Sequence, residues 1–474
     1  MIRWTMAILL AAFYFLPATS PGTGTPATPA LPKAALDILA DSPGSMHVDE
    51  LVKSAEADVP VRPEDAKAVC ALLWQKYRGE QMRDPVRIEE NKACQLHFGS
   101  VMRYSCRKAG EKPTSGYPLY IALHGGGSCP AEANDDAWQS MTTFYLGSVK
   151  QGLYVAPRGV ADAWNLHSLP DSFPLYDRLI ENMILFEDAD PNRVYILGYS
   201  AGGDGVYQVA PRMADRLAAA NMSAGHPNGV GAVNLFNLPF LVQMGEKDTA
   251  YDRHLSAPRF AMALDALQKE YGGGYIHDCF LHLDKGHGIM EHNPNDLPQV
   301  VIANLSAWLQ NGDRSTKTVD ANAISWVRQH VRNPWPTRVI WDLRTRADRS
   351  GVRSTGERLW ATPVRGQLFY WLDISGSAKG QSEVDLIDVH MDKAANAIVI
   401  EKTTDWLRLL LNGSMLDLSK PVTVKIAGKV FTVTVHPNLR TMARTLVDRG
   451  DPNYCFEAEI TVEKNGDTWR VSGS

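Results

Sequence analysis

One stretch of the chain decides the fold: Tyr195-Ile196-Leu197-Gly198-Tyr199-Ser200-Ala201-Gly202-Gly203. An apolar run typical of a buried strand ends there in the pattern Gly-x-Ser-x-Gly. The pattern predicts a sharp strand–turn–helix unit, a nucleophile elbow, with the hydroxyl of Ser200 exposed at the turn. Gly198 and Gly202 are expected to be small because the strand and helix backbones nearly touch at that point.

A serine hydroxyl is a weak nucleophile at neutral pH, so it needs a base and a group that orients the base. Two downstream segments carry such groups. Phe240–Asp248 is an apolar strand run followed by an acidic turn, and Cys279–Gly288 is a strand run followed by His287 between two glycines. Each candidate follows the C-terminal end of a predicted strand, the edge at which sites form in open α/β sheets.

A fourth element lies upstream of the elbow. Tyr117–Leu123 has the composition of a buried strand and runs into His124-Gly125-Gly126-Gly127. Glycines at this place allow backbone N–H groups to turn toward a developing oxyanion, and the second donor is expected from the amide of Ala201.

These four elements, in this order, resemble the α/β-hydrolase superfamily over roughly residues 113–312. The resemblance is to secreted serine esterases of the polyester-depolymerase and feruloyl-esterase type, with similarity to prolyl-oligopeptidase-like hydrolases. It implies an α/β-hydrolase fold, a mostly parallel central sheet with helices on both faces. It also implies three catalytic roles: nucleophile for Ser200, general base and acid for His287, and orienting carboxylate for Asp248. The implied oxyanion donors are Gly126 and Ala201, with Gly125 as the alternative.

Other polar residues near these motifs compete for the same roles. Glu246 and Asp252 flank Asp248 and are alternative orienting acids, whereas His282 lies within the strand run and is expected to be packed. His124 is expected to bond the backbone. Asp204 falls in the first turn of the elbow helix, where an acid complements the helix N-terminus.

Two residues are candidates for the substrate pocket. Trp164 follows the strand run Leu153–Val155, so a pocket wall competes with simple packing. His226 follows the next predicted strand, so a contact to substrate competes with a turn role ahead of Pro227.

The composition narrows the classes of partner. The 474 residues are enough for about two or three domains, and the formal net charge of −5 offers no basic face for nucleic acid. The sequence lacks His-Glu-x-x-His, paired Cys-x-x-Cys and a phosphate-binding Gly-Lys-Ser/Thr, so neither a metal nor another cofactor is expected. The expected partner is a small-molecule or polymeric ester substrate, and the sequence does not indicate an oligomeric state.

The N-terminus has the features of a secretory signal. Arg3 precedes the apolar segment Met6–Leu16, and Pro17–Ser20 offers small residues for cleavage. Secretion or export to the periplasm is therefore expected, with an uncleaved membrane anchor as the alternative. No other apolar run has the length of a membrane span, so none is expected after signal removal.

Six cysteines fit an oxidising compartment. A hairpin around Gly99-Ser100-Val101 would bring Cys94 opposite Cys106 on one apolar face, which predicts a disulfide between them. Cys129, beside the oxyanion segment, is expected to be structural.

The chain divides by composition into five parts. The last part, residues 338–474, contains many short β-rich runs, which predict an all-β, sandwich-like domain. This domain is expected to be structural and to cover part of the catalytic domain. Substrate binding through Trp360, Trp371 or Trp406 is the alternative. The amphipathic segment Gln299–Gln310 is expected to be the helix that ends the catalytic domain. The parts are a signal peptide (1–20), a leader with a helical segment (21–90), the catalytic domain (91–312), a linker (313–337) and the β-rich domain (338–474).

The sequence thus predicts a secreted serine hydrolase that cleaves carboxylic esters through an acyl-enzyme. A prolyl-oligopeptidase-like peptidase has the same order of serine, acid and histidine along the chain. Against this alternative, too few residues precede the core to form the propeller of that family. A binding protein on an inactive hydrolase scaffold is the third alternative, which the complete set of catalytic residue types disfavours.

Overall fold

A computed structural model describes residue 39 and residues 46–289, 297–346, 367–377 and 386–474. The predicted signal peptide and Trp360 lie outside these ranges. Within them, no helix combines the length and the apolar character needed to cross a bilayer.

The largest sheet has ten strands in the order β1-β2-β4-β3-β5-β6-β7-β8-β9-β10. The six strands from β3 to β8 are parallel, and the strands at both edges are antiparallel. The strands are β1 (Gln95–Phe98), β2 (Ser100–Ala109), β3 (Tyr117–Leu123), β4 (Gly152–Pro157), β5 (Ala189–Tyr199), β6 (Ala219–Ser223), β7 (Phe240–Gly245), β8 (His277–His282), β9 (Gln299–Ile302) and β10 (Thr316–Val319).

Helices precede, cover and follow this sheet. They are α1 (Val48–Leu51), α2 (Pro63–Arg83), α3 (Pro85–Ala93), α4 (Ala131–Phe144), α5 (Ser172–Glu187), α6 (Ala201–Val209), α7 (Arg253–Tyr271), α8 (Leu305–Asn311), α9 (Ala323–Val327), α10 (Leu343–Arg346) and α11 (Leu439–Arg449).

Helices cover both faces of the sheet, which explains the continuous apolar runs of its central strands. Every residue of β3 is buried, because parallel strands between two helix layers have no solvent face. Side chains alternate between two clusters: Leu119 and Ile121 pack with α5, α6 and α7, whereas Tyr120 and Ala122 pack with α4 and α9. This doubly covered, mostly parallel sheet confirms the predicted α/β-hydrolase fold.

The C-terminal region forms two five-stranded sheets, ordered β11-β14-β15-β17-β18 and β12-β13-β16-β19-β20. Alternate residues of both sheets, such as Val389 of β14 and Leu409 of β16, enter one apolar cluster, so the sheets pack as a sandwich. The strands are β11 (Arg338–Asp342), β12 (Leu368–Phe369), β13 (Leu372–Asp373), β14 (Leu386–Asp392), β15 (Ala397–Lys402), β16 (Trp406–Leu411), β17 (Val422–Ile426), β18 (Lys429–Val433), β19 (Ala458–Asn465) and β20 (Thr468–Gly473).

The C-terminal region is not purely β, because helix α11 lies between β18 and β19. Asn438 caps this helix by accepting a hydrogen bond from the amide of Thr441 at 2.9 Å. Met442 and Leu446, four residues apart, bury its apolar side. Asn438 and this spacing are the signals that would have predicted the helix.

Two of the tryptophans proposed for substrate binding have structural surroundings. Trp371 is fully buried, and its indole N–H donates to the carbonyl of Pro336 at 2.9 Å. Trp406 is partly buried beneath the guanidinium of Arg408, which lies 5.0 Å from the ring centre. These contacts agree with a structural role for the two tryptophans.

The segment Gln299–Gln310 is not one helix, as predicted, but strand β9 followed by helix α8. The β-branched residues Val300, Val301 and Ile302 pair with β10, a partner that the helical spacing of the segment does not indicate. The helix starts only after Asn304, whose side chain accepts from the amide of Ala307.

The predicted Cys94–Cys106 disulfide was wrong because the hairpin has a different register. Gly99 alone, at φ +62°, separates β1 from β2, so Leu96 pairs with Met102. The carbonyl of Cys94 accepts from the amide of Tyr104 at 2.9 Å, which places Cys94 level with Tyr104. Cys94 and Cys106 are separate thiols in the structure.

The N-terminal helices join the catalytic and C-terminal regions. Val69 and Leu73 of α2 pack against Met442 and Leu446 of α11. On the other side, α2 and α3 bond to α5 through its Glu181. This carboxylate accepts hydrogen bonds from Tyr77 at 2.5 Å and from Arg87 at 2.8 Å.

A buried ion network also fastens the C-terminal region to the catalytic region. Asp451 is 1% exposed and accepts from Arg332 at 2.7 Å and from Arg216 at 3.3 Å. Arg449 pairs with Asp215 in the same interface. Because each charge is taken out of water, each depends on its partners.

Replacing Asp451 with Ala should lower the free energy of unfolding by about 3–5 kcal/mol, because two buried guanidinium groups lose a charged partner. Urea unfolding at neutral pH measures the change. Asp405→Ala is the control, because Asp405 forms an exposed pair with Lys464 at 3.8 Å. Such pairs contribute less than about 1 kcal/mol. Equal losses in the two variants would contradict the importance of the network.

Candidate active site

Ser200 lies on a strained turn between β5 and α6. Its backbone has φ 59° and ψ −123°, a conformation that side-chain-bearing residues seldom adopt. A Cβ on Gly198 would lie 2.1 Å from the carbonyl oxygen of Gly202, and one on Gly202 would lie 2.1 Å from that of Leu123. Neither glycine can therefore be replaced without separating β3, β5 and α6.

The loops after β7 and β8 bring an acid and a histidine to Ser200. His287 Nε2 lies 3.0 Å from Ser200 Oγ, and its Nδ1 lies 2.7 Å from Asp248 Oδ2. In the neutral tautomer that these contacts favour, Ser200 donates to Nε2 and Nδ1 donates to Asp248. The hydroxyl of Tyr199 donates to the carbonyl of His287 at 2.5 Å and holds the loop in place.

Asp248 has a second partner that the sequence analysis missed. Arg253 Nη1 donates to Asp248 Oδ1 at 3.0 Å and lies 3.5 Å from His287 Nδ1. Burial alone raises the pKa of Asp248, but His287 and Arg253 outweigh it and hold the pKa below its ordinary value. The side chain is therefore a carboxylate at neutral pH. Arg253 begins α7 just after the acidic turn, and this position was the available signal.

The alternative acids have other surroundings. Both carboxylate oxygens of Glu246 accept from Arg314 at 2.7 Å, and Glu246 also binds the indole of Trp308. Asp252 caps no group with its side chain and precedes helix α7 at φ 55°. The structure thus brings Asp248, rather than either neighbour, to His287.

His282 is buried in β8, as expected of a packed residue, and its Nε2 lies 3.1 Å from Gln243 Oε1. Burial lowers the pKa of His282 to about 4, and the nearby charge of Lys285 acts in the same direction. The side chain is therefore neutral at pH 7.

The glycine loop after β3 lies beside Ser200. A Cβ on Gly125 would lie 3.3 Å from Ser200 Cβ. Among the described residues, the amides of Gly125 and Gly126 donate to no protein acceptor. Ala201 is the first residue of α6, so its amide has no intrahelical acceptor. All three amides are thus without an acceptor among the described residues.

Asn134, on α4, fixes this loop and was not predicted. Its Oδ1 accepts from the amide of Gly127 at 2.9 Å, and its Nδ2 donates to the carbonyl of Gly127 at 2.9 Å and to Asp162 at 2.8 Å. A fully buried Asn within a helix has no signal in a single sequence that separates it from an exposed one.

His124 has the expected structural role. Its Nε2 accepts from the amide of Gly159 at 2.9 Å, and its Nδ1 lies 2.6 Å from the carbonyl of Gly125. His167 Nε2 donates to the carbonyl of His124 at 2.8 Å. Burial lowers the pKa of His124 to about 4, so the ring stays neutral and can accept from Gly159.

Trp164 lies against the glycine loop. A Cβ on Gly127 would lie 2.9 Å from its ring, and its exposed edge meets Tyr251 at a ring-centre distance of 6.1 Å. Tyr251 is 67% exposed and has an unusual φ of 56°. The two rings border the site on the side of the glycine loop and the acidic turn.

His226 is engaged by its own turn. Its amide donates to Asp204 Oδ1 at 2.7 Å, and its Nδ1 accepts from the amide of Asn228 at 3.0 Å. These contacts match the turn role. Asp204 is partly buried, and burial raises its pKa. It holds this turn rather than the triad.

In the part of the chain that the structure describes, no group of three or more His, Cys, Asp or Glu side chains is placed to hold a metal ion.

No protein-family profile and no curated protein matches this chain. Solved structures do. A thermostable esterase is 19% identical over 50% of this chain and 62% of its own length, with a TM-score of 0.36. A poly(3-hydroxybutyrate) depolymerase from Bordetella parapertussis is 14% identical over 49% of this chain and 94% of its own, with a TM-score of 0.34.

An acylaminoacyl peptidase is 17% identical over 41% of this chain and 37% of its own length, with a TM-score of 0.28. The chain therefore spans less than two thirds of the length of the thermostable esterase and of this peptidase. The assignment of the fold rests on the strand order and helix layers described above.

His282 should make stability fall with acidity. Its folded pKa of about 4 lies below the ordinary 6.5, so only the unfolded chain binds a proton between these values. The unfolding free energy that depends on neutral His282 is fully present above pH 6.5 and is lost as the pH falls toward 4. The loss amounts to roughly 2 kcal/mol at pH 5.

His282→Gln keeps a donor near Gln243 but does not titrate. The difference in unfolding free energy between pH 7 and pH 5, measured in urea, should be smaller in this variant by roughly that amount. The same pH dependence in both proteins would contradict the neutral, buried state of His282.

Proposed function

We propose that this protein is a serine hydrolase that cleaves carboxylic esters. The observation that carries the proposal is the hydrogen-bonded series Ser200–His287–Asp248 at a strained elbow, beside a glycine loop with unused amides. A nucleophile, its base and an orienting acid in this arrangement are the parts that acyl transfer requires.

In the proposed reaction, Ser200 Oγ attacks the ester carbonyl while His287 Nε2 takes its proton. The amides of Ala201 and of Gly126 or Gly125 stabilise the oxyanion. His287 then gives the proton to the leaving alkoxide, and an acyl-enzyme remains. Water, deprotonated by His287, attacks this acyl group, and His287 returns that proton to Ser200 Oγ as the acid leaves.

The electrostatics of the site support these roles. Asp248 is held as a carboxylate, so it can keep Nδ1 of His287 protonated and stabilise the imidazolium that forms during attack. Arg253 donates a hydrogen bond to the second carboxylate oxygen of Asp248, and this bond fixes the plane of the carboxylate.

The substrate we propose is a small-molecule or polymeric ester. The His287 side chain is 40% exposed, and the exposed rings of Trp164 and Tyr251 border the site, which favours access for an acyl or alcohol group of some size.

Residues 46–93 are largely helical and pack toward α5 and α11. Export remains a prediction from residues 1–20.

Ser200→Ala should reduce kcat/KM for esters by at least about 10⁴-fold, because the acyl-enzyme can no longer form. The measurement uses p-nitrophenyl esters of increasing acyl length together with aminoacyl-nitroanilides. Activity that survives the substitution would overturn the proposal. Turnover of the anilides above that of the esters would indicate a peptidase, and inactivity on both would indicate a binding protein.

Asp248→Asn should lower kcat roughly 10³–10⁴-fold with little change in KM, because His287 loses the partner that sets its tautomer. Asp252→Asn is the matched control, four residues away, and should retain kcat within a few-fold. Circular dichroism checks that both variants fold. A larger loss in the control would transfer the acid role to Asp252.

A further inference from the structure

Two cysteines that are far apart in sequence meet where the N-terminal helices contact the C-terminal region. Cys70 lies on α2, and Cys455 follows the turn Pro452–Tyr454 just ahead of β19. Their Sγ atoms are 2.7 Å apart, and Cys70 Sγ also lies 3.4 Å from the carbonyl oxygen of Cys455. This approach brings the two side chains within reach of a covalent bond.

The surroundings of this cysteine pair disfavour charged thiolates and accept an uncharged bond. Both residues border the apolar cluster formed by α1, α2 and α11, and Cys455 is only 5% exposed. The contact with Cys455 and burial raise the pKa of the Cys70 thiol, and the nearby Glu457 acts in the same direction. Because the thiolate is the reactive form, exchange is slow once the protein has folded.

We propose that Cys70 and Cys455, which are free thiols in the structure, are oxidised to a disulfide that joins helix α2 to the C-terminal region. During folding, the thiolate of one cysteine attacks a disulfide-containing oxidant and releases one thiol. The second cysteine, after losing its proton, displaces the other thiol from this mixed disulfide. The two cysteines together lose two protons and two electrons, and the oxidant leaves as two thiols.

This bond encloses almost the whole folded chain. It joins residues that are 385 positions apart, and the segment between them contains the ten-stranded sheet. A cross-link over a long loop restricts the unfolded chain strongly, so the expected effect is on stability. Neither cysteine contacts the triad through a described hydrogen bond, so ester turnover at room temperature should not depend on the bond.

Peptide mapping tests the bond directly. The full chain is refolded with reduced and oxidised glutathione, unfolded in acid, alkylated with N-ethylmaleimide and digested without reduction. A linked peptide containing Cys70 and Cys455 is expected. Alkylation of both residues, or a link from either one to another cysteine, would overturn the proposal. The cysteines expected to be alkylated are Cys94, Cys106, Cys129 and Cys279.

Heat unfolding with and without dithiothreitol supplies a second readout. Reduction should lower the midpoint of the wild type by roughly 5 °C. Cys70→Ser and Cys455→Ser should lose this sensitivity whatever their packing cost, whereas the control Cys94→Ser should keep it. A wild-type midpoint that does not respond to dithiothreitol would contradict the bond.

Discussion

The close approach of three backbone segments beneath Ser200 is the constraint on which the site depends. Strand β5 meets helix α6 at Gly198 and Gly202, and Gly202 in turn meets the end of β3 at Leu123. The same contact that forces Ser200 into its strained turn therefore also sets the start of the glycine loop. Ser200 and the amides of the glycine loop are held by one packing arrangement, so they can be positioned without a ligand.

The C-terminal region belongs to the same packed body as the sheet. Asp215 and Arg216 follow α6, the helix that starts just after Ser200, and both pair with residues of the C-terminal region. The sandwich and the large sheet also share one apolar cluster. The region thus contacts the segment that follows α6, and its Trp371 and Trp406 have packing contacts. Helix α2 packs against helix α11 of the same region, and its Cys70 lies beside Cys455.

The sequence was most informative where the pattern is local. Ser200, Asp248 and His287 each follow an apolar strand run, and parallel strands bring such ends to one edge. It was least informative where the partner is distant. Both hairpin registers place Leu96, Met102 and Tyr104 on one face, since side chains alternate with a period of two, so only the tight turn at Gly99 selects the real one. The contacts of Asn134, and the pairing of β9 with β10, likewise depend on tertiary structure.

Covalent labelling tests the central claim, that the elbow presents an activated serine, most directly. A fluorophosphonate reacts with a serine that has a base and an oxyanion hole, and it needs no knowledge of the natural substrate. One adduct per chain is expected, located on Ser200 by peptide mapping and lost when the protein is unfolded first. An unlabelled protein that is correctly folded, or an adduct on another serine, would contradict it.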